Sequence, residues 1–221
     1  MGILTSEQEK FLKSFFAFFP NQNFFLTGGT ALAEYYLKHR LSEDLDLFTI
    51  DQSVDFADVS LQMNKLINEL KLEIEKQVSA PAFLQFILKD KNSRFLKIDI
   101  VKDVPVHFGK IKKVGNINID SLENIAVGKL LALFGRTAPK DFIDMYFILK
   151  EKKLSFKKLF ELSKKKDTGL NEFYLAEMFY QVTKLKDFPK TLKPFNKKEL
   201  VKFFMELSDK LYKQIKPKDK F

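Results

Sequence analysis

Two aspartates stand two residues apart where a strand is expected to begin. Asp44 and Asp46 alternate with Leu45 and Leu47. Successive side chains of a strand point to opposite faces, so both carboxylates share one face. Neighbouring carboxylates repel each other and resist burial unless a positive charge lies between them, and Mg²⁺ suits that position because it prefers carboxylate oxygens together with substrate phosphates. The spacing predicts a divalent metal site; the alternative is a helix cap and a solvated strand end.

A third aspartate interrupts an apolar strand farther along the chain. Asp99 lies between Ile98 and Ile100, so its side chain points away from the face that both isoleucines share. If its strand neighbours the strand of the first pair, all three carboxylates converge. Two metal ions about 4 Å apart could then bridge the attacking and leaving oxygens of a phosphoryl transfer.

A glycine pair precedes the first two aspartates. A short apolar strand at residues 24–27 runs directly into Gly28-Gly29-Thr30, after which a helix is expected. Glycine lets the backbone approach a phosphate closely, the helix N-terminus offers free N–H groups, and Thr30 adds a hydroxyl. The segment has neither the Gly-Lys-Ser/Thr of a P-loop nor the Gly-x-Gly-x-x-Gly of a dinucleotide site. It predicts a phosphate-binding turn, and a plain strand–helix turn is the alternative.

The elements that must position these residues follow from the spacing of the apolar residues. The first helix is expected to begin with the capping pair Ser6-x-x-Glu9. Strands and helices then mix up to residue 101, and a loop or ribbon follows. Every later apolar pattern is helical, including one helix over residues 171–184. We predict an α+β protein with a mixed β-sheet and flanking helices in residues 1–118, followed by a helical C-terminal domain in residues 119–221.

Composition limits the class of protein. The 221 residues are 45% hydrophobic, which allows a sizeable core. There is no cysteine, which excludes disulfides, thiol nucleophiles and cysteine-based zinc sites and fits a cytoplasmic protein. The sequence shows no signal peptide and no membrane-spanning segment, so we expect no membrane partner.

The net charge of +9 is unevenly distributed along the chain. Residues 1–150 carry 19 basic and 19 acidic residues, whereas residues 184–221 carry 12 lysines and 5 acidic residues. This asymmetry indicates a polyanionic partner for the C-terminal part. The alternative is a solvated, lysine-rich helical surface.

The motifs together resemble a known family. Gly28-Gly29-Thr30-Ala31-Leu32 is followed by His39-Arg40-x-Ser42-x-Asp44-Leu45-Asp46-Leu47-Phe48, by Asp99, and by Lys129-x-x-Ala132-Leu133-x-x-Arg136-x-x-x-Lys140-Asp141-x-x-Asp144-x-Tyr146. This order is similar to that of the AbiEii/AbiGii type of nucleotidyltransferase toxin, within the polymerase-β-like nucleotidyltransferase superfamily. The resemblance covers roughly residues 24–150. It implies a nucleotidyltransferase core in residues 1–118.

The resemblance also implies roles for single residues. The triphosphate would be held by Gly28, Gly29 and Thr30. Divalent metal, Mg²⁺ or Mn²⁺, would be bound by Asp44 and Asp46, while Asp99 would complete the site and orient or deprotonate the acceptor hydroxyl. Lys129 would contact nucleotide phosphates. Residues beside the pocket would be Ser42, Lys140, Asp141 and Asp144.

Three cationic residues can also be interpreted from their sequence positions alone, without the family. Arg40 orients Asp44 or a phosphate, or it merely neutralises Glu43 and Asp44. Lys129 stands in an apolar helix segment, where a lysine either extends its stem to water or faces a cleft. Lys140 shares one helix side with Asp141 and Asp144. The alternative to a place beside the pocket is that these residues form a surface ion pair.

The predicted reaction transfers a nucleotidyl group from an NTP to an acceptor hydroxyl and releases pyrophosphate. We expect RNA as the acceptor, with tRNA as the first candidate, and a toxin–antitoxin or abortive-infection system as the setting, with a cognate antitoxin as a further partner. A small-molecule nucleotidyltransferase of the antibiotic-modifying kind and a non-catalytic binding module of the same fold are the alternatives.

Overall fold

A computed structural model describes residues 2–20, 23–152 and 154–215. The chain folds into two compact units. The first unit comprises residues 1–38 and 42–124, and the second comprises residues 39–41 and 125–221. The last six residues of the lysine-rich C-terminal segment lie outside the described residues. No helix in the described part of the chain combines the length and apolarity that crossing a membrane requires.

The first unit is a mixed sheet with flanking helices, as the sequence predicts. Its elements are α1 (Ser6–Phe18), β1 (Phe25–Thr27), α2 (Gly28–Leu32), β2 (Leu45–Thr49), α3 (Phe56–Glu69), β3 (Glu73–Ala80), β4 (Phe83–Lys89), β5 (Phe95–Lys102), β6 (Lys112–Val114) and β7 (Ile117–Ile119). The seven strands have the spatial order β3-β4-β5-β2-β1-β7-β6. β2 pairs with β5 in parallel and β1 with β7 in parallel, whereas the other pairs are antiparallel.

Alternating side chains give the central strands one buried and one half-exposed face. In β2, Leu45 and Leu47 are buried while Asp46 and Phe48 are half-exposed, and β4 and β5 alternate in the same way. The apolar face forms the core together with one side of α1 and of α3. The polar positions of neighbouring strands therefore gather on the opposite face, where the candidate carboxylates lie.

The cap of α1 lies one residue earlier than predicted. Thr5, not Ser6, accepts a hydrogen bond from the Gln8 backbone, and the Gln8 side chain accepts one from the Thr5 N–H. Gln8 is 3% exposed, and its amide also donates to the carbonyls of Ser42 and Glu43. Thr5-x-x-Gln8 and Ser6-x-x-Glu9 both satisfy the sequence rule for a capping box. The contact of the buried Gln8 amide with residues 42 and 43 favours the first pattern.

The segment predicted as a loop or ribbon contains the two strands at one edge of the sheet. β6 and β7 form a hairpin, and β7 lies parallel to β1 with Leu26 opposite Ile119. Each strand has three residues, which is too short for a clear alternating pattern. β7 ends at Ile119, and the next residue, Asp120, lies beside the end of β1, where its N–H donates to the Leu26 carbonyl.

The second unit is helical, as predicted. Its helices are α4 (Leu122–Gly135, which belongs to this unit from Ile125 onward), α5 (Pro139–Glu151), α6 (Phe156–Lys166), α7 (Glu172–Tyr180) and α8 (Lys197–Ile215). The helix predicted over residues 171–184 is shorter in the structure, because α7 ends at Tyr180 and a 3₁₀ turn covers residues 181–184. Residues 39–41 join this unit by pairing with the segment around Thr191, where the Leu192 N–H donates to the His39 carbonyl.

Candidate active site

The first unit gathers three carboxylates on the half-exposed face of its sheet, which we call the carboxylate face. Asp46 on β2 is directly opposite Asp99 on the adjacent parallel strand β5, so their side chains lie on the same side. Asp44 immediately precedes β2 and is half-buried. The strands that carry the three aspartates are therefore neighbours, as the sequence interpretation required.

Two side chains hold Asp99 in place. The Gln85 amide on β4 donates to Asp99 Oδ1 at 2.8 Å, and the Lys97 ammonium donates to Asp99 Oδ2 at 2.9 Å. Lys97 Nζ also lies 3.6 Å from Asp44 Oδ2. Sequence analysis missed both residues. The Lys97-x-Asp99 spacing on one strand face was a signal for Lys97, whereas the role of Gln85 depends on the register of β4 against β5.

Lys97 keeps its positive charge at this position. Burial lowers the pKa of its ammonium, but the hydrogen bond to Asp99 and the charges of Asp44, Asp99 and Asp46 outweigh burial and raise the pKa above its usual value. A protonated ammonium thus lies between carboxylates from two adjacent strands.

The glycine turn lies against Asp46. Gly28 has a φ of 69°, in the left-handed region that favours glycine, and a Cβ at this position would collide with the Asp46 carboxylate. Thr30 is fully buried, and its hydroxyl donates to the backbone carbonyl of Asp44. The predicted triphosphate-binding residues Gly28, Gly29 and Thr30 therefore begin α2 directly beside the carboxylates, and the Thr30 hydroxyl supports the backbone at Asp44.

A buried polar network supports the end of β1. Asp120 is fully buried, and its Oδ2 accepts hydrogen bonds from Thr27 Oγ1 at 2.6 Å and Asn124 Nδ2 at 2.9 Å. His107 Nε2 lies 2.8 Å from Asp120 Oδ1. Thr27 directly precedes Gly28 and is paired with Asp46 across the strands. Sequence analysis assigned no role to His107, because the missed strand β7 brings its partner Asp120 to it.

The donor chemistry of the carboxylate face fits Mg²⁺ or Mn²⁺, since both prefer oxygen ligands. Among the residues that the structure describes, no three His, Cys, Asp or Glu side chains converge on one cation position. The convergence of Asp44, Asp46 and Asp99 on a metal ion therefore stays a prediction.

The predicted near-site residue Ser42 borders a separate cleft of the first unit. The cleft has a volume of about 720 Å³ and is lined by the start of α1, the end of α3 and the β4–β5 turn. Ser42 and Glu43 are among its lining residues, whereas Asp44, Asp46 and Asp99 are not. The chemistry of the carboxylates argues for the carboxylate face, rather than this cleft, as the candidate active site.

The second unit contains a buried ionic network centred on Asp144. Arg40 binds its carboxylate with two hydrogen bonds, Nε to Oδ1 at 2.6 Å and Nη2 to Oδ2 at 2.8 Å. His39 Nε2 lies 2.7 Å from Oδ1, and Lys129 Nζ lies 2.7 Å from Oδ2. Asp144 is thus a buried partner of Arg40 that sequence analysis did not find. The roles expected for Arg40, toward Asp44 or a phosphate or in neutralising Glu43 and Asp44, stay predictions.

Asp141 extends this network. Lys129 donates to Asp141 Oδ1 at 3.0 Å, and Arg136 donates to Asp141 Oδ2 at 2.8 Å. Asp141 and Asp144 are both fully buried, so the alternative of a surface ion pair is wrong for them. Lys140 is half-buried on the same helix. The nucleotide-phosphate role of Lys129 stays a prediction, because here its ammonium binds the two carboxylates.

The network fixes the charge states of its central pair. Burial by itself raises the pKa of Asp144, but the charge of Lys129 and the hydrogen bonds from Arg40 and His39 outweigh burial and hold the pKa well below its usual value. Burial opposes the charge of Lys129 as well, yet Asp144 and Asp141 raise the pKa of its ammonium.

Solved structures identify the class of fold. A Helicobacter pylori protein assigned as a nucleotidyltransferase matches with a TM-score of 0.59 and 18% identity, covering 96% of this chain and 97% of that one. JHP933 from Helicobacter pylori matches with a TM-score of 0.56 and 17% identity, covering 96% of this chain and 94% of that one. The mixed sheet with flanking helices is therefore a nucleotidyltransferase fold.

Sequence comparison identifies the family. An uncharacterized protein of Aquifex aeolicus is 30% identical over 167 residues, which are 75% of this chain and 77% of that protein. The family model described as the nucleotidyl transferase AbiEii toxin of type IV toxin–antitoxin systems matches residues 10–218. The chain belongs to this AbiEii family of nucleotidyltransferase toxins, and the resemblance drawn from the motifs is confirmed.

The glycine turn yields a first prediction. Gly28→Ala should lower nucleotidyl transfer at least ~10²-fold, because the new Cβ must displace the Asp46 carboxylate and misplaced catalytic groups cost about this much. Steady-state transfer rates measure the effect. Gly128→Ala is the matched control, since a Cβ there meets open space on an exposed helix position. Equal activity of Gly28→Ala and wild type would show that the turn does not set the position of Asp46.

The Asp144 network yields a second prediction. Asp144→Asn should lower the free energy of unfolding by about 3–5 kcal/mol, because it leaves buried cations without their counter-charge. Denaturant unfolding measures this change. The control is Glu151→Gln, which breaks a partly exposed pair with Lys193 and should cost less than about 1 kcal/mol. Equal losses in the two variants would contradict a special role for the buried network.

The same variant has an expected pH dependence. The pKa of Asp144 is lower in the folded than in the unfolded protein, so its stabilisation is fully present above the ordinary value of 3.8 and is lost as the pH falls through the folded value. The stability difference between wild type and Asp144→Asn should therefore shrink only below that pH. A difference that already disappears between pH 7 and pH 5 would contradict this assignment.

Proposed function

We propose that the carboxylate face transfers a nucleotidyl group from an NTP to an acceptor hydroxyl. The observation that carries this proposal is the pairing of Asp46 with Asp99 on adjacent strands, beside the Gly28 turn that opens α2. Membership of a nucleotidyltransferase toxin family supports transfer chemistry in general. The carboxylate face supports its assignment to Asp44, Asp46 and Asp99.

The reaction forms one bond and breaks one. The acceptor oxygen bonds to the α-phosphorus, the bond from that phosphorus to the bridging oxygen breaks, and pyrophosphate leaves. Asp99 accepts the proton of the attacking hydroxyl, and Gln85 orients Asp99 through its hydrogen bond to Oδ1. The N–H groups of the Gly28–Thr30 turn bind the triphosphate.

Asp44 and Asp46 would hold Mg²⁺ or Mn²⁺, with Asp99 completing the set. When bound, the ion would neutralise charge on the phosphates during transfer. The protein's own contribution is to fix the carboxylates in register through strand pairing and to support their backbone. Catalysis on this account comes from positioning and electrostatics, without a covalent enzyme intermediate.

The acceptor that charge favours is RNA, with tRNA as the first candidate. The first unit carries 14 basic and 17 acidic residues, whereas the second carries 24 basic and 12 acidic residues. A polyanion is therefore attracted to the second unit. That unit also exposes aromatic rings on α7, where Phe173 is 49% and Tyr174 60% exposed, and such rings stack on unpaired bases.

The biological setting follows from the family. The matching family model describes a toxin of a type IV toxin–antitoxin system. The transfer would accordingly inactivate an RNA that the cell needs, and an antitoxin would counteract that effect. A transfer assay with labelled NTPs and total tRNA also tests whether a small molecule is the acceptor instead.

Transfer itself is tested with labelled NTPs and total tRNA. Asp46→Asn should reduce incorporation at least ~10²-fold while leaving the melting temperature within a few degrees, because it keeps the side-chain size but removes a charge that a divalent ion needs. Asp58→Asn, on the exposed side of α3, is the control. Wild-type incorporation by Asp46→Asn would show that the pair is structural, and transfer only to small hydroxyl compounds would overturn the RNA acceptor.

RNA binding is tested by a salt series. Changing Lys184, Lys186 and Lys190, all exposed in the second unit, to Ser should weaken binding and lower the steepness of its salt dependence by about 0.7 in log–log slope for each lost contact to a single strand. The matched control changes Lys65, Lys110 and Lys113, exposed in the first unit, to Ser and removes the same net charge. Equal slopes for both triple variants would rule out a specific RNA role of residues 184–190.

A further inference from the structure

The carboxylate face already contains a cation of its own. Lys97 lies two residues before Asp99 on β5, so both side chains leave the sheet on the same side. Its ammonium is 2.9 Å from Asp99 Oδ2 and 3.6 Å from Asp44 Oδ2. One charged side chain thus links the carboxylates of two adjacent strands.

This contact uses atoms that a divalent ion would need. Asp99 Oδ1 accepts from Gln85 and Asp99 Oδ2 accepts from Lys97, so both oxygens of Asp99 are engaged by protein donors. A divalent ion at Oδ2 would lie close to the Lys97 ammonium, and the repulsion between the two cations weakens metal binding for as long as Lys97 stays there. Gln85 is neutral, so its hydrogen bond to Asp99 Oδ1 adds no charge repulsion against a divalent ion.

Lys97 is also able to move its ammonium away from Asp99 and Asp44. Its side chain is 36% exposed, and its four-carbon stem is flexible enough to carry the ammonium from the carboxylates into water. A partly exposed ion pair is weak, so its loss is readily offset by a divalent ion bound to several carboxylate oxygens. Lys97 therefore has the geometry and the energetics of an exchangeable counter-ion.

We propose that Lys97 is a built-in counter-ion that competes with the divalent cation for Asp44 and Asp99 and is displaced when the cation binds. It is a positioning residue: it relieves carboxylate repulsion in the metal-free protein and sets how much metal is needed to load the site. The inference rests on the proposed metal-dependent function and adds a control on metal affinity that the transfer chemistry does not require.

The first test measures Mn²⁺ binding by electron paramagnetic resonance, without nucleotide. Lys97→Met should bind Mn²⁺ roughly fivefold more tightly than wild type, as expected for the loss of one partly exposed competing ion pair. Its metal-free melting temperature should fall and recover on adding Mn²⁺. Lys102→Met is the matched control, because Lys102 is on the same strand but lies over the Phe56 ring, and it should leave the affinity unchanged. Equal or weaker Mn²⁺ binding by Lys97→Met would overturn the proposal.

The second test uses the unaltered protein and so does not depend on a variant that folds. The rate at which an amine-acylating reagent modifies Lys97 is followed by peptide mass spectrometry, with Lys102 as the internal reference. Saturating Mn²⁺ should speed modification of Lys97 several-fold by releasing it from the carboxylates. An unchanged or slower rate in a protein that binds Mn²⁺ and transfers nucleotides would overturn this inference alone. Failure of the wild type to bind Mn²⁺ would overturn both this inference and the proposed metal site.

Discussion

The parallel pairing of β2 with β5 is the constraint on which the candidate site depends. It places Asp46 directly opposite Asp99, with Asp44 one step before the strand. Like charges on adjacent strands are unfavourable unless cations and donors compensate them. The structure supplies both, because Lys97 links Asp99 to Asp44 and Gln85 binds the other oxygen of Asp99. The same repulsion makes the face suitable for a divalent ion.

The backbone that carries these carboxylates is held by side chains from distant parts of the chain. Gln8 of α1 donates to the two carbonyls before Asp44, and the Thr30 hydroxyl donates to the carbonyl of Asp44 itself. On the other side of Asp46, Asp120 fixes Thr27 at the end of β1. These hydrogen bonds, which are buried or partly buried, restrict how far the carboxylates move, which is what a reaction catalysed by positioning requires.

The second unit differs from the first in that its two central carboxylates are fully buried. It buries Asp141 and Asp144 completely and compensates them with Lys129, Arg40 and Arg136. A buried ionic network adds little net stability compared with apolar packing, but breaking it is costly because a charge is left uncompensated. Its value is therefore specificity: the short segment of residues 39–41 is tied to Asp144 of α5, which also binds Lys129 of α4, by a geometry that few other side chains would satisfy.

The sequence by itself determined the α+β composition, the helical second part and the shared strand face of Asp44 and Asp46, because these follow from periods of two and of 3.6 residues that any local segment displays. The motif order also indicated the family correctly. Only the tertiary structure decided the partners: Gln85 for Asp99, Asp120 for Thr27 and Asp144 for Arg40. Strand register, the addition of β7 beside β1 and the pairing of residues 39–41 with the segment around Thr191 bring these residues together across 14 to 104 positions. Such long-range pairings are chosen by the packing of the whole core and leave no local pattern in the sequence.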